Sequence, residues 1–371
     1  MQDNVFELTA YVRGLLDGKS SAELYHLHHE VFEKVSPMQV FRAFTYLLRE
    51  GYTEEQILKV LSKPMTLLSN HLPEFDAGSL PDDHFLKLLI NENEKTAGVL
   101  DEKKTRVGKE DGQAILQELS ILLKEYESHS LVKENILFPY MEKKDSIYAG
   151  TSIMWGLHDT VRQLAKRAGE QISGDEAKKL IGEIYFAVYG LIEKENILLF
   201  PAAYEIFDER EFAEMARQAK DYGYDVEDNV SLDLPGEIKD LRYASSSGEL
   251  SFDQLTLILN SLPVDISYVD ENDILRYFNT PTERIFPRSP AAIGRNVRNC
   301  HPPKSYDAVE RIIRDFRSGE SDREVFWIDM KGKKILIEYY ALRDSQGNYR
   351  GVLEASRDIS GMMELKGEKR L

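Results

Sequence analysis

Apolar residues recur along this chain with two different periods. From the N-terminus to about residue 222 the spacing is helical, three and four residues apart. From Leu255 onward, short alternating runs separated by turns take over. Residues 1–73 are helical in period. Within them EGYTEEQILKVL predicts a turn at Gly51, with Thr53 as N-cap and Gln56 completing a capping box. A break at LPEFDAGSLPDD follows, and the pattern then predicts four long amphipathic helices over roughly 83–104, 112–138, 151–173 and 175–200. Four such helices with short links describe an up-down bundle, placed at 78–222. Residues 223–250 have the texture of a connector. Beyond it the runs DISYVD, ILRYFN, EVFWIDM, KILIEYYAL and YRGVLEASRDI, with one helix at about 305–318, predict an α+β domain over 251–362, leaving a tail at 363–371. The fold class is therefore multidomain, an all-α region containing a four-helix bundle and then an α+β domain.

Composition narrows the class of protein. Lys and Arg total 47 against 64 Asp and Glu, a formal charge of -17, which repels phosphate backbones and anionic lipid and argues against nucleic acid or membrane partners. A single cysteine, Cys300, rules out an internal disulfide and a cysteine zinc site, and fits a reducing compartment. No apolar run is long enough to span a membrane, and the N-terminus lacks a signal-length apolar segment. These features lead to the expectation of a soluble, cytoplasmic protein.

The candidate chemistry lies in a repeat. KENILFPY begins at Lys133 and KENILLFPA at Lys194, and each places a charged Glu in an apolar helix end. At about 100° per residue, His129 and Glu134 lean in from the two flanks of the stripe Ile115, Leu119, Leu122 and Tyr126. Glu195 falls within the stripe of the fourth helix, His158 on the line of Met154, Val161 and Ala165, and Glu92 among Phe85, Leu89 and Val99. In an up-down arrangement Glu92, His129, Glu134, His158 and Glu195 all reach one layer at one end of the bundle. Buried like charges are costly unless a cation neutralises them. A lysine can supply that cation, but carboxylates with imidazoles in a bundle core are also the ligand set of non-haem iron or a similar metal. A metal site and a structural polar network both remain open at this point.

HSLVKENILFP, the HD of WGLHDTVR and IEKENILLFP resemble the hemerythrin-like (HHE cation-binding) four-helix domain over about 140 residues. That resemblance implies one or two non-haem iron ions and responses to oxygen, nitric oxide or redox state. Its motifs carry over to His129 and Glu134 in the second helix, His158 in the third, Glu195 in the fourth, and His84 with Glu92 in the first. The pattern departs at Lys87 and Gly190, where relatives have further histidines. His84 and Glu92 lie about 12 Å apart along a helix axis, too far to share one ion.

The C-terminal hundred residues resemble a PAS domain, with DISYVDENDILRYFN as its first hairpin, SYDAVERIIRDFRSGE as its helix and RDIS closing it. IFPRSPAAIGRNVRNCHPPKS is similar to PAS domains that follow hemerythrin-like bundles, and the N-terminal segment, especially LLREGYTEEQI, resembles the domain of unknown function that precedes them. Phe326, Ile328, Ile337, Tyr339 and Val352 are expected in the core of the sheet. The motif CHPP is read as a helix entry capped by Ser305 rather than as a haem site at His301, and Cys300 as a redox thiol only if exposed beside Arg298 or Lys304. The resemblance implies a sensor that relays its signal through a partner protein or small ligand, with a homodimer through PAS as one arrangement. A metal-free adaptor with a PAS pocket, or a non-haem iron enzyme, are the alternatives.

Overall fold

The structure is a computed structural model that describes residues 2–144, 150–224, 242–245, 248–300 and 306–368. His301, Lys304 and Ser305, and with them the capping of the CHPP turn, lie outside the described residues, as does most of the 223–250 connector. The chain divides into two compact units, Met1–Asn229 and Val230–Leu371.

The first unit opens with five helices: α1 (Gln2–Leu16), α2 (Ser21–Phe32), α3 (Pro37–Arg49), α4 (Glu54–Val60) and α5 (Ser62–Ser69). Local chemistry sets their starts. Ser36 and Gln39 cap α3 reciprocally ahead of Pro37, and Thr53 and Gln56 form the capping box that their spacing predicts, at 2.8 and 3.3 Å. These helices share one hydrophobic core with the bundle, in which Leu8, Tyr11, Leu47 and Ile57 are joined to Phe85, Leu119 and Ile184.

The bundle consists of α6 (Phe85–Lys104), α7 (Gly112–Glu125) continued by α8 (Glu127–Val132) and α9 (Phe138–Lys144), α10 (Thr151–Ala168), and α11 (Gly174–Lys194) continued by α12 (Phe200–Ile206). Then α13 (Glu209–Ala219) and a 3-10 turn, Lys220–Tyr222, pack back on it. Both copies of the repeat form π turns, Lys133–Leu137 and Glu195–Leu199. In each, the N–H of the following Phe reaches back five residues, Phe138 to the Lys133 carbonyl and Phe200 to that of Glu195. Pro139 and Pro201 come next. A proline ring crowds the carbonyl four residues earlier in a regular helix, and the wider turn relieves that clash.

The second unit contains a hairpin, β1 (Arg242–Ser245) and β2 (Gly248–Ser251), then α14 (Phe252–Ser261), capped by Ser251 and Gln254. A five-stranded antiparallel sheet follows in the order β4-β3-β7-β6-β5, from β3 (Asp265–Asp270), β4 (Leu275–Phe278), β5 (Arg323–Met330), β6 (Lys333–Arg343) and β7 (Tyr349–Asp358). Helix α15 (Tyr306–Ser318) lays Ile312, Ile313 and Phe316 against Val269, Leu275 and Val352. This is the expected α+β architecture, although its hairpin begins within the stretch read as connector. Val352, Phe326 and Tyr339 join the core as expected, and Ile337 is half-buried. Ile328 does not join it. It lies near the end of the edge strand β5 and is 39% exposed, while its cross-strand partner Ile335 is fully buried.

Candidate functional site

The charged layer in the bundle is assembled by both π turns. The extra residue of a π turn shifts the helical phase, and at the first turn Lys133 and Glu134 are both buried. Glu195 opens the second π turn with no exposed surface. His129 from α8 and His158 from α10 are also fully buried, so four of the six candidate residues meet.

Glu195 is the centre. One carboxylate oxygen, Oε1, accepts a close charge-assisted hydrogen bond from Lys133 Nζ. The other accepts from Asn93 Nδ2 at 2.8 Å and lies 3.4 Å from His129 Nε2. Tyr126 donates to Asn93 Oδ1 at 2.8 Å, and Lys133 sits 5.4 Å from the centre of the Tyr126 ring. His129 Nδ1 meets the Tyr224 hydroxyl at 2.9 Å. Glu134 receives Arg162 on both oxygens at 2.8 Å and His158 Nδ1 at 2.7 Å. Arg162 also reaches Glu127 and Asp159.

Burial and pairing pull in opposite directions on these groups. Burial alone would push Glu195 up, but Lys133 and the two imidazoles hold it well below the ordinary carboxylate range. Glu134 is likewise lowered, with His158 and Arg162 outweighing its burial. Burial pulls Lys133 down from the usual lysine value against the attraction of Glu195. Both oxygens of Glu195 are hydrogen-bonded and the Lys133 ammonium is in contact with one of them, contacts that favour the ionised pair. His129 is pushed down to about 4 by burial and by Lys133, so it is neutral.

The remaining candidates lie elsewhere. His84 is the N-cap of α6, where its Nδ1 accepts the Leu86 N–H at 3.2 Å and its ring packs on Phe212. Glu92 faces partly outward and pairs with Lys95 at 3.3 Å. The inward position belongs to its neighbour Asn93, fully buried, because α6 turns Leu86, Leu89, Asn93, Thr96 and Leu100 to the core rather than the Glu92 and Val99 line. Lys133, Asn93, Arg162 and Tyr224 were not singled out by sequence reasoning. The Lys that opens both copies of the repeat, and the Arg four residues beyond His158, were the available signals.

A resident metal ion requires several free donors converging on one point. In this layer both oxygens of Glu195 and of Glu134 and both nitrogens of His129 have partners, leaving His158 Nε2 as the one ring nitrogen of the cluster without a hydrogen bond, 3.6 Å from Glu195. Among the described residues, no group of three or more His, Cys, Asp or Glu is arranged to hold a metal. As arranged, the residues do not fit an ion.

In the second unit, a cavity of about 40 Å³ lies between α15 and the sheet. Val269, Leu275, Ile312, Ile313 and Val352 form its apolar wall. Its polar end is the Arg288–Glu354 ion pair, 2.9 Å apart, with Tyr339 beside it and the Arg288 Nε making no hydrogen bond. Cys300 borders the same cavity and its thiol approaches the Asn296 carbonyl at 3.6 Å.

With the two sites defined, comparison with known proteins places the folds. Residues 84–203 match the hemerythrin HHE cation binding domain family and residues 255–360 a PAS domain family. The chain is a modular protein that joins a hemerythrin HHE domain to a C-terminal PAS domain, preceded by a helical region. Among solved structures it is similar to a C-terminal domain from Streptococcus mutans, with 37% identity over 34% of this chain and 98% of that one, at a TM-score of 0.33. It is also similar to a PAS domain from Colwellia psychrerythraea, with 18% identity over 29% of this chain and 97% of that one, TM-score 0.25. A sensory box sensor histidine kinase from Vibrio cholerae matches with 18% identity over 28% and 87%, TM-score 0.22. No curated protein matches the chain. No helix among the described residues is long and apolar enough to cross a membrane.

Proposed function

We propose that the chain is a sensory or regulatory protein whose PAS module receives a small ligand and passes the change on by protein association. The observation that carries this reading is the cavity beneath α15. It has apolar walls, a partly buried guanidinium whose Nε is enclosed and unbonded, and room for about three water-sized groups at roughly 10 to 15 Å³ each. An uncharged molecule of that size with an apolar body and one acceptor atom fits without displacing a side chain. Output through a partner accords with the general use of PAS domains in association, including with themselves. The formal charge of -17 disfavours nucleic acid as that partner.

Xenon probes such a cavity directly. Methyl signals of Val269, Leu275, Ile312, Ile313 and Val352 in the full chain are expected to shift together under xenon pressure, and Val352→Phe is expected to abolish the response. Methyl signals that stay still in the wild type would remove the cavity as a ligand site.

A second reading has iron held by His129, Glu134, His158 and Glu195 and responding to oxygen, nitric oxide or redox state. It is favoured by the unbonded His158 Nε2 and by the HHE family match, and it requires the two basic residues of the layer to move away.

A further inference from the structure

We infer that Lys133 is the resident cation of this HHE bundle, standing where a metal would neutralise the buried carboxylates, and that it excludes a metal from the layer. Charge pairing is the first argument. Glu134 and Glu195 are buried carboxylates, and each is in direct contact with a cation, Arg162 and Lys133 respectively. Each buried carboxylate is thus already paired with a cation that the chain supplies, Arg162 also binding the less buried Glu127 and Asp159. An incoming divalent ion would have to displace a fully buried ammonium from Glu195.

The second argument comes from the other copy of the repeat. Gly190 stands where the HHE pattern would place a histidine in the fourth helix. Its missing side chain leaves space that the Lys194 ammonium fills. A Cβ at Gly190 would lie 3.2 Å from Lys194 Nζ, which donates to the Gly190 carbonyl at 2.6 Å. The first residue of each KEN motif therefore brings an ammonium to the layer's carboxylate or to the position of an absent ligand. At the head of the first copy Lys133 makes an internal salt bridge with Glu195, and at the head of the second Lys194 fills the space beside Gly190 through a backbone hydrogen bond.

The test uses the full chain, purified without chelator and incubated anaerobically with ferrous iron and separately with Zn²⁺, then desalted for metal analysis and thermal melting. The wild type is expected to retain well below about 0.1 ion per chain and to melt at the same temperature with and without metal. Lys133→Ala is expected to melt lower in the absence of metal, to retain about one ion per chain, and to recover part of its melting temperature when the ion is present. Wild-type protein that holds about one ion or more, lost in Glu195→Gln, overturns the inference. So does a folded Lys133→Ala that takes up none. Should that variant not fold, Lys133→Met with Glu195→Gln removes both charges together. It is expected to melt above Lys133→Met alone, and equal melting of the two would overturn the pairing.

Discussion

A lysine with no exposed surface is stable as a cation only if its partner is equally fixed, and Glu195 meets that condition through Lys133, Asn93 and His129 at once. Its neighbour His129 gives the layer a pH dependence. The folded-state value of His129 is about 4, below the ordinary histidine value of 6.5. Between those values the unfolded chain binds the extra proton, so stability from this group is complete above about pH 6.5 and is lost as pH falls toward 4. Glu134 and Glu195, both lowered, act in the same direction at still lower pH. The melting temperature is therefore expected to be level near neutrality and to fall on acidification. His129→Gln should flatten the first part of that fall, worth about 3 kcal/mol at roughly 1.4 kcal/mol per pKa unit. A profile for His129→Gln that parallels the wild type would mean that the imidazole is not buried neutral.

The elements explain which parts of this arrangement were legible in the chain. Period alone was enough for the four bundle helices, the Thr53 capping box and the buried Glu195, because α-helical phase holds over α7, α10 and α11. It failed at the repeat, where one additional residue per turn shifts the phase and buries Lys133 beside Glu134. A fixed 100° rotation cannot reveal that slip, although a proline directly after an apolar helix end marks where the helix must widen or break. On α6 the misreading was one residue wide, Glu92 for Asn93, since the stripe through Leu86, Ile90 and Asn93 competes with the one through Phe85, Leu89 and Glu92. In the sheet, alternation identified the strands but not the open end of the edge strand at Ile328. Close packing between β3 and β7 rests on a glycine whose role only the structure reveals. Gly351 has φ +125, and a Cβ there would lie 2.1 Å from the Val269 carbonyl oxygen. Gly351→Ala is expected to destabilise the PAS unit by about 3 kcal/mol. Denaturant unfolding monitored through Trp327, in a Trp155→Phe background, measures it, and an unchanged midpoint would contradict the close approach.

At the scale of the molecule, two modules with sensory associations occur on one acidic chain, and they divide the chemistry unequally. The PAS unit has a cavity with an unsatisfied polar group. The HHE unit has a polar layer in which nearly every group is satisfied, as a structural core requires. Satisfaction of that kind gives a rigid bundle whose charges are fixed by the fold. It follows that the layer's charges should be energetically coupled to one another, independently of any added ion. The most direct measurement is a double-mutant cycle on Lys133→Met and Glu195→Gln, read by denaturant unfolding of the full chain in metal-free buffer with chelator present. A coupling of about 2 kcal/mol or more, with the double variant more stable than the worse single one, is the predicted result. A coupling within about 0.5 kcal/mol of zero would contradict the account, because Lys133 would then not be the cation that holds Glu195 in the core.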